Sequence, residues 1–460
     1  MTYDLLIKNG KVVLENQVAE IDVAIKDGKI VALGANLGEA LETVDASDQY
    51  VLPGAVDCHM HFSDPGRDHW EGFVTGSKSL AKGGTTTYLD MPLNGLPAIT
   101  NGYALDLKFK AAEKRNWVDY AFYGGVTPYN LDKGEIQELH DRGVVGYKAF
   151  LSTCGDRSVD GDFEDVNDYA LYEGMKQLAK LDQRLLLHCE NAVICDRLAD
   201  KAQKQGKTDM AAYLDSRPIF TEVEAVKRAL YFAKITGCKM HLVHLSTSDA
   251  IQAALKARYE DGVDVTIETC PHYLVLNRED VINIGPLAKC SPPIRPQEEV
   301  EKLWEEFFAG NIDAIGTDHS PSPMELKEVA DGNMFKAWGG ISGAQNLIDI
   351  MFDAAVLKRG MCPSTLMKHL STNAAEIFNL PNKGKIDYGY DADIVLLNAN
   401  TPYVLKAEDL EYKHKHSPYV GSTIGCQITK TFLRGKQIYD LKAGVTADAN
   451  GKFITNLKTK

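Results

Sequence analysis

Apolar and polar positions divide the chain into two β-rich ends and a long strand–helix alternation between them. Near the start, short alternating runs at 3–8, 11–14, 21–25 and 29–33 predict strands. They are joined at Asn9-Gly10 and Asp27-Gly28, dipeptides that accept the positive φ of tight hairpins. Runs at 393–397, 427–433 and 436–439 repeat this texture near the other end, with Arg434-Gly435 as the turn. Two such segments flanking one α/β core are expected to pair into a single small β domain, from residues 1–52 and 386–460. Between them, eight short apolar strands are predicted at 55–62, 85–91, 121–126, 146–151, 185–190, 240–246, 265–270 and 314–319. Helical periodicity fills the gaps, for example at 223–236 and 298–308. Eight parallel strands with intervening helices define an α/β fold of the (β/α)8 TIM-barrel type over 53–385. A doubly wound open sheet is the alternative, but its glycine-rich phosphate loop is missing, and the first strand ends in histidines instead.

Those histidines open the chemistry. His59 and His61 lie two apart, so in a strand both rings share a face and point into the barrel mouth. A lone buried histidine is usually a satisfied core residue; a pair ending a first barrel strand reads as a metal site. Lys148 lies in the fourth strand, while His188, His244 and Asp318 end the fifth, sixth and eighth. Active sites of this fold form at the C-terminal strand ends, so these positions converge. Strand parity separates ligands from neighbours: His241, three before His244, is expected to face the helices, and His319, adjacent to Asp318, to sit in the wall. His69, His140, His272, His369, His414 and His416 show no convergence and are read as structural. Four histidines, an aspartate and a lysine exceed one tetrahedral zinc. They suit two divalent ions about 3.5–4 Å apart. A lysine ammonium cannot ligate a cation, and burying one beside two cations is costly. Lys148 must be deprotonated, displaced or converted to an anion, and spacing does not choose among these.

Charge narrows the partners. Fifty basic against 64 acidic residues give −14, which opposes binding to nucleic acid or an anionic membrane. The apolar runs fall far short of the roughly 20 residues of a membrane span. The start shows no basic segment followed by an apolar one, as a secretory signal would. Nine cysteines without paired spacing read as reduced thiols of a cytoplasmic protein.

The segment Gly54-Ala55-Val56-Asp57-Cys58-His59-Met60-His61 resembles the opening motif of the amidohydrolase superfamily, and Lys148, His188, His244 and Asp318 match that family's ligand order. The resemblance implies a barrel with a β-sandwich built from both chain ends. It implies His59 and His61 on the more buried ion and His188 and His244 on the more exposed one. Lys148, carboxylated by carbon dioxide, would bridge them as a carbamate. Asp318 would be both ligand and proton carrier for a hydroxide bridging the metals, which are zinc or else manganese, cobalt or iron.

Within the superfamily the cyclic amidases are nearest. Blocks at 91–97, 152–157, 289–295 and 335–341 are similar to allantoinases, which implies allantoin as the small-molecule substrate, hydrolysed to allantoate. Dihydroorotases usually carry a carboxylate-binding arginine where this chain has Ser63. Hydantoinases typically carry a tyrosine where it has Thr153. Allantoin is neutral and needs neither. Asn94 is the candidate for its ureido arm, and backbone around Ser291 and Gly339 for the ring amide. A hydantoinase or dihydropyrimidinase is the runner-up. A dihydroorotase or a metal-free scaffold relative fits less well, the latter because the ligand set is complete. Members of this group are often homotetramers. The acidic run 160–168 reads as solvated loop, within a long polar segment, 152–168, placed to move over the site.

Overall fold

The computed structural model describes residues 2–457. All eight expected core strands form: β1 (Ala55–Met60), β2 (Thr85–Asp90), β3 (Asp119–Phe122, continued by Gly124–Gly125), β4 (Tyr147–Phe150), β5 (Arg184–His188), β6 (Lys239–Leu242), β7 (Val265–Thr269) and β8 (Ala314–Ile315). Each pairs in parallel with the next in chain order. The ring closes where Met60 bridges His319 in parallel and His61 N donates to His319 O at 2.9 Å. This is a (β/α)8 barrel, and closure leaves no sheet edge exposed. Helices lie between the strands, including Ile219–Thr236 and Gln297–Phe308, which extend the two expected from periodicity. Leu185, Leu187, Met240, Leu242 and Ile267 are fully buried on the strands, as expected of a sheet covered on both faces.

Both chain ends build one β-sandwich. Four N-terminal strands form one sheet, in the order Lys29–Gly34, Asp22–Lys26, Tyr3–Lys8, Ala40–Asp45. In the second, seven-stranded sheet, C-terminal Ile394–Asn398 pairs antiparallel with N-terminal Tyr50–Pro53. Alternating side chains Leu5 and Ile7, Val23 and Ile25, and Ile394 and Leu396 meet in the core between the sheets. The hairpin residues behave as their chemistry requires: Asn9, Asp27 and Arg434 have φ of 64°, 51° and 46°.

Gly54 joins the sandwich to the barrel. A Cβ there would lie 2.1 Å from Thr86 Oγ1, so the crossing admits only glycine. Below it, buried Lys383 bonds Asp119, Asp393 and Asp391 at 2.6, 2.7 and 2.9 Å. Two stretches of 386–460 leave the sandwich sheets. Tyr403–Val404 and Thr423–Ile424 form a separate ribbon, and Phe453 bridges Tyr120 of β3 in parallel. Aromatic packing draws the latter in, with Phe453 4.8 Å from Phe109 and 5.6 Å from Phe122 between ring centroids. No helix among the described residues is long and apolar enough to cross a membrane.

Candidate metal centre and active site

The C-terminal strand ends open into a cavity of about 500 Å³. At its floor, the Nε2 atoms of His59 and His61 approach Asp318 Oδ1 at 3.3 and 3.2 Å. Beside them His188 Nδ1 faces His244 Nε2 at 3.0 Å. Lys148 Nζ is fully buried, 4.8 Å from the centroid of Phe150, whose ring stacks on His188 at 4.7 Å. The six residues expected from the sequence thus gather around one floor. Asn94, Ser291 and Gly339 line the cavity above it.

Three of the four histidines are aimed through their other nitrogen, as metal ligands are held by an outer layer of acceptors. His59 Nδ1 bonds Glu268 Oε1 at 2.7 Å, His61 Nδ1 bonds Leu93 O at 3.1 Å, and His188 Nε2 bonds Glu190 Oε2 at 2.8 Å. Burial lowers the pKa of His59, His188 and His244, against nearby carboxylates, in the direction of the neutral ring that can ligate a metal. Burial pushes the Asp318 carboxyl up, but His59 and His61 outweigh it and hold it below the usual range, ionised. Burial pulls the Lys148 amine down to about 8, despite Asp318 and Glu268. Buried His59 Nε2, His244 Nδ1 and Lys148 Nζ have no aligned hydrogen-bond partner. Unsatisfied buried polar atoms of this kind are costly, and this nitrogen and carboxylate set fits divalent metal ions.

The backbone pays for this placement locally. His244 and Asp318 have φ of 41° and 47°, left-handed conformations costing about 1–3 kcal/mol each in non-glycine residues. That turn also corrects the expectation for His241. Parity assumed a regular pleat through His244, whereas β6 ends at Leu242 and the chain then twists. His241 faces inward, with Nε2 3.0 Å from Glu268 Oε2 and Nδ1 2.7 Å from Thr266 Oγ1. His319 lies in the wall as expected, its Nδ1 accepting from Gly343 N at 3.2 Å.

Several buried charges were not singled out from the sequence. Glu268 accepts from His59, His241, Cys58 and the His244 amide. Burial raises its pKa, but His59 and His241 prevail and hold it well below the usual range. Asp57 ties β1 to β8 through His59 N and Thr317 N, both at 3.1 Å. Glu190 bonds Arg217 Nη1 at 2.9 Å, and Arg217 reaches the cavity. Their signal was a charge inside or ending an apolar strand, as in Val265-Thr266-Ile267-Glu268. Asp162 corrects the reading of 160–168 as solvated: it is buried and pairs bidentately with Arg67 at 3.2 and 2.8 Å. This pair fixes part of the 152–168 segment as a cavity wall. Replacing Glu268 with glutamine sets an N–H2 against these donors. Metal affinity is expected to fall about 10–100-fold, measured by competition with a chromogenic chelator; unchanged affinity would remove Glu268 from the metal centre.

A closed barrel with an HxH pair, a strand-four lysine, two further histidines and a strand-eight aspartate at one mouth defines a metal-dependent hydrolase of the amidohydrolase class. The sequence matches the amidohydrolase family over residues 50–438, and the chain belongs to that family; the family implies a binuclear metal centre. It is 52% identical over 454 residues to allantoinases of Salmonella newport and Salmonella typhimurium, covering 99% of this chain and of each of theirs. Among solved structures it is similar to the L-hydantoinase of Arthrobacter aurescens. There the TM-score is 0.94 at 34% identity, covering 99% of this chain and 100% of that one. A dihydropyrimidinase from Brevibacillus agri gives 0.89 at 27% identity, covering 99% of each.

Proposed function

We propose that this chain is an allantoinase, opening the hydantoin-ring amide of allantoin by hydrolysis to give allantoate. The observation that carries the reading is the 52% identity to curated allantoinases over nearly the whole chain. The cavity supports it by what it lacks. Ser63 is buried and does not line the described wall. The two arginines that do are each engaged, Arg67 by Asp162 and Arg217 by Glu190, so neither is a free fork for a substrate carboxylate. No tyrosine is among the described lining residues; Thr153 is, and its hydroxyl donates to Asp196 Oδ2 at 2.7 Å. A neutral ring fits this wall better than the carboxylate of dihydroorotate. The likeness to the L-hydantoinase favours one alternative, the same chemistry on another cyclic amide.

In this reading His59, His61 and Asp318 would hold one divalent ion, His188 and His244 the other, and Lys148, carboxylated to a carbamate, would serve both. Zinc is the proposed metal, with manganese, cobalt or iron as alternatives. When bound, such a pair would bring the pKa of a shared water from about 15.7 towards 7 and polarise a carbonyl. The protein's own contribution is to move protons and hold the ring. Asp318, ionised, accepts the proton of the attacking water and passes it to the leaving ring nitrogen. Near pH 8 part of Lys148 is the free amine, whose lone pair adds to the carbon of carbon dioxide with release of one proton. The resulting anion relieves the charge conflict an ammonium would create. Asn94, positioned through Ser320 Oγ at 3.3 Å, takes the ureido arm, and Ser291 and Gly339 take the ring amide. We further propose a homotetramer and a cytoplasmic setting, in keeping with nine free cysteines.

Ring-opening rates on allantoin, hydantoin, dihydrouracil and dihydroorotate, with metal content assayed, test the reading. Allantoin should lead by about 100-fold or more in kcat/KM, the scale on which polar contacts discriminate. Preference for another ring overturns the substrate; stoichiometric absence of metal overturns the chemistry.

A further inference from the structure

Among the described residues, two buried lysines beside the cavity have no acidic partner. Lys289 and Lys327 are 4% and 1% exposed, and among the described residues their ammonium groups bond only backbone carbonyls. Lys289 Nζ donates to Ala337 O and, at 3.4 Å, to Phe335 O. Lys327 Nζ donates to Gly340 O and, at 3.0 Å, to Trp338 O. All four carbonyls belong to one cavity-wall segment without helix or strand over 335–340, so its backbone needs donors from elsewhere. Charge-assisted bonds are roughly twice as strong as neutral ones, which suits ammonium groups to the task. Burial pulls both lysines down to about 7, so the pair is fully charged only below that pH and donates as neutral amines above it.

The lysines' own segments grip the same wall. Gly340 N donates to Lys289 O at 2.8 Å, and Trp338 N donates to Leu326 O at 2.7 Å. Between these two engaged amides, Gly339 faces open space, since a Cβ there would meet nothing within 4 Å. Lys289 Nζ also sits 4.3 Å from the centroid of Tyr213, whose hydroxyl bonds Ser291 Oγ at 2.7 Å and Cys290 O at 3.0 Å. One knot therefore holds both backbone positions assigned to the ring amide.

We propose that Lys289 and Lys327 are positioning residues for the ring substrate: a two-ammonium staple that sets the Trp338–Gly340 backbone and presents Gly339 to the ring. This rests on the ring-amide reading above. The test uses full-length, metal-loaded protein with Lys289→Met and Lys327→Met, which keep the stem and remove the donors, and Lys327→Gln, which restores neutral donors. Steady-state kinetics on allantoin and hydrogen exchange of residues 335–340 are the readouts. The methionine variants should keep wild-type metal content, raise KM about 10-fold, the scale of one lost charged hydrogen bond, and change kcat less. Exchange should accelerate within 335–340, and Lys327→Gln should recover part of the KM. KM within twofold of wild type, or faster exchange spread evenly over the barrel, overturns the staple. If the methionine variants do not fold, Lys327→Gln is judged by the same two readouts, with a KM rise and local deprotection expected. If wild-type protein opens no ring, the activity reading fails and exchange alone decides: deprotection confined to 335–340 supports the staple, and none overturns it.

Discussion

Asp318→Ala is expected to lower ring opening by about 10⁴-fold, since it removes the proposed carrier for two proton transfers and general acid–base catalysis is worth roughly 10²–10⁴-fold. The carboxylate is ionised because His59 and His61 stand 3.3 and 3.2 Å from Oδ1 and outweigh the cost of burial. Alanine also deletes a ligand, so metal must be measured on the same sample. Asp318→Asn separates the two roles, because an amide oxygen can still ligate but cannot carry the proton. The asparagine variant should hold metal near the wild-type level and lose nearly as much rate as alanine. An asparagine variant with full metal and a rate within tenfold of wild type would end the proton-carrier assignment.

The fold was legible because its signals are local and repeated. Each barrel strand is a short apolar run ended by a turn, and the carboxyl ends of such strands must share one mouth, so six residues scattered from His59 to Asp318 could be grouped without coordinates. Of the sandwich strands absent from the sequence pattern, Ala40–Asp45 and Val18–Glu20 are largely exposed, with Val44 the one buried side chain of the first; Gly444–Val445 is only two residues long, and Tyr50–Pro53, though buried, runs into the first barrel strand with only Gly54 between. An edge strand has little apolar pattern to read. His241 was misdirected for a geometric reason: two-residue alternation holds only while the pleat does, and the left-handed turn at His244 breaks it.

What holds the site was less legible than what forms it. Glu268 and Glu190 announce themselves as charges within or at the end of apolar strands, yet their partners come from other strands. Asp162 looked solvated among acidic neighbours because its arginine lies 95 residues earlier. Lys289 and Lys327 carry no side-chain code at all, since carbonyls are their acceptors and any residue can supply one. The ligands are thus set by spacing along the chain and their orientation by contacts between distant segments. That division explains why the candidate ligand positions could be grouped from the sequence ahead of the contacts that orient them.

Lys148→Ala carries the second large effect. The amine lies fully buried with no hydrogen-bond partner among the described residues, within electrostatic reach of His59, His188 and His244, where a positive charge could not coexist with two metal ions. The proposed carbamate would resolve that conflict and supply an anion to both ions, so its loss should lower metal content and cut ring opening by about 10³-fold or more, the range for a metal-activated water and its proton transfers. Deleting the side chain also opens a space that a small carboxylate can fill. Acetate or propionate should therefore restore metal content and rate together, in a saturable, concentration-dependent way. Chloride at the same ionic strength should not. Unchanged metal content and activity in Lys148→Ala would exclude any bridging role. Lost activity with no rescue by any short carboxylate, in protein that still binds both ions, would mean that the lysine acts in some way other than as a bridging anion.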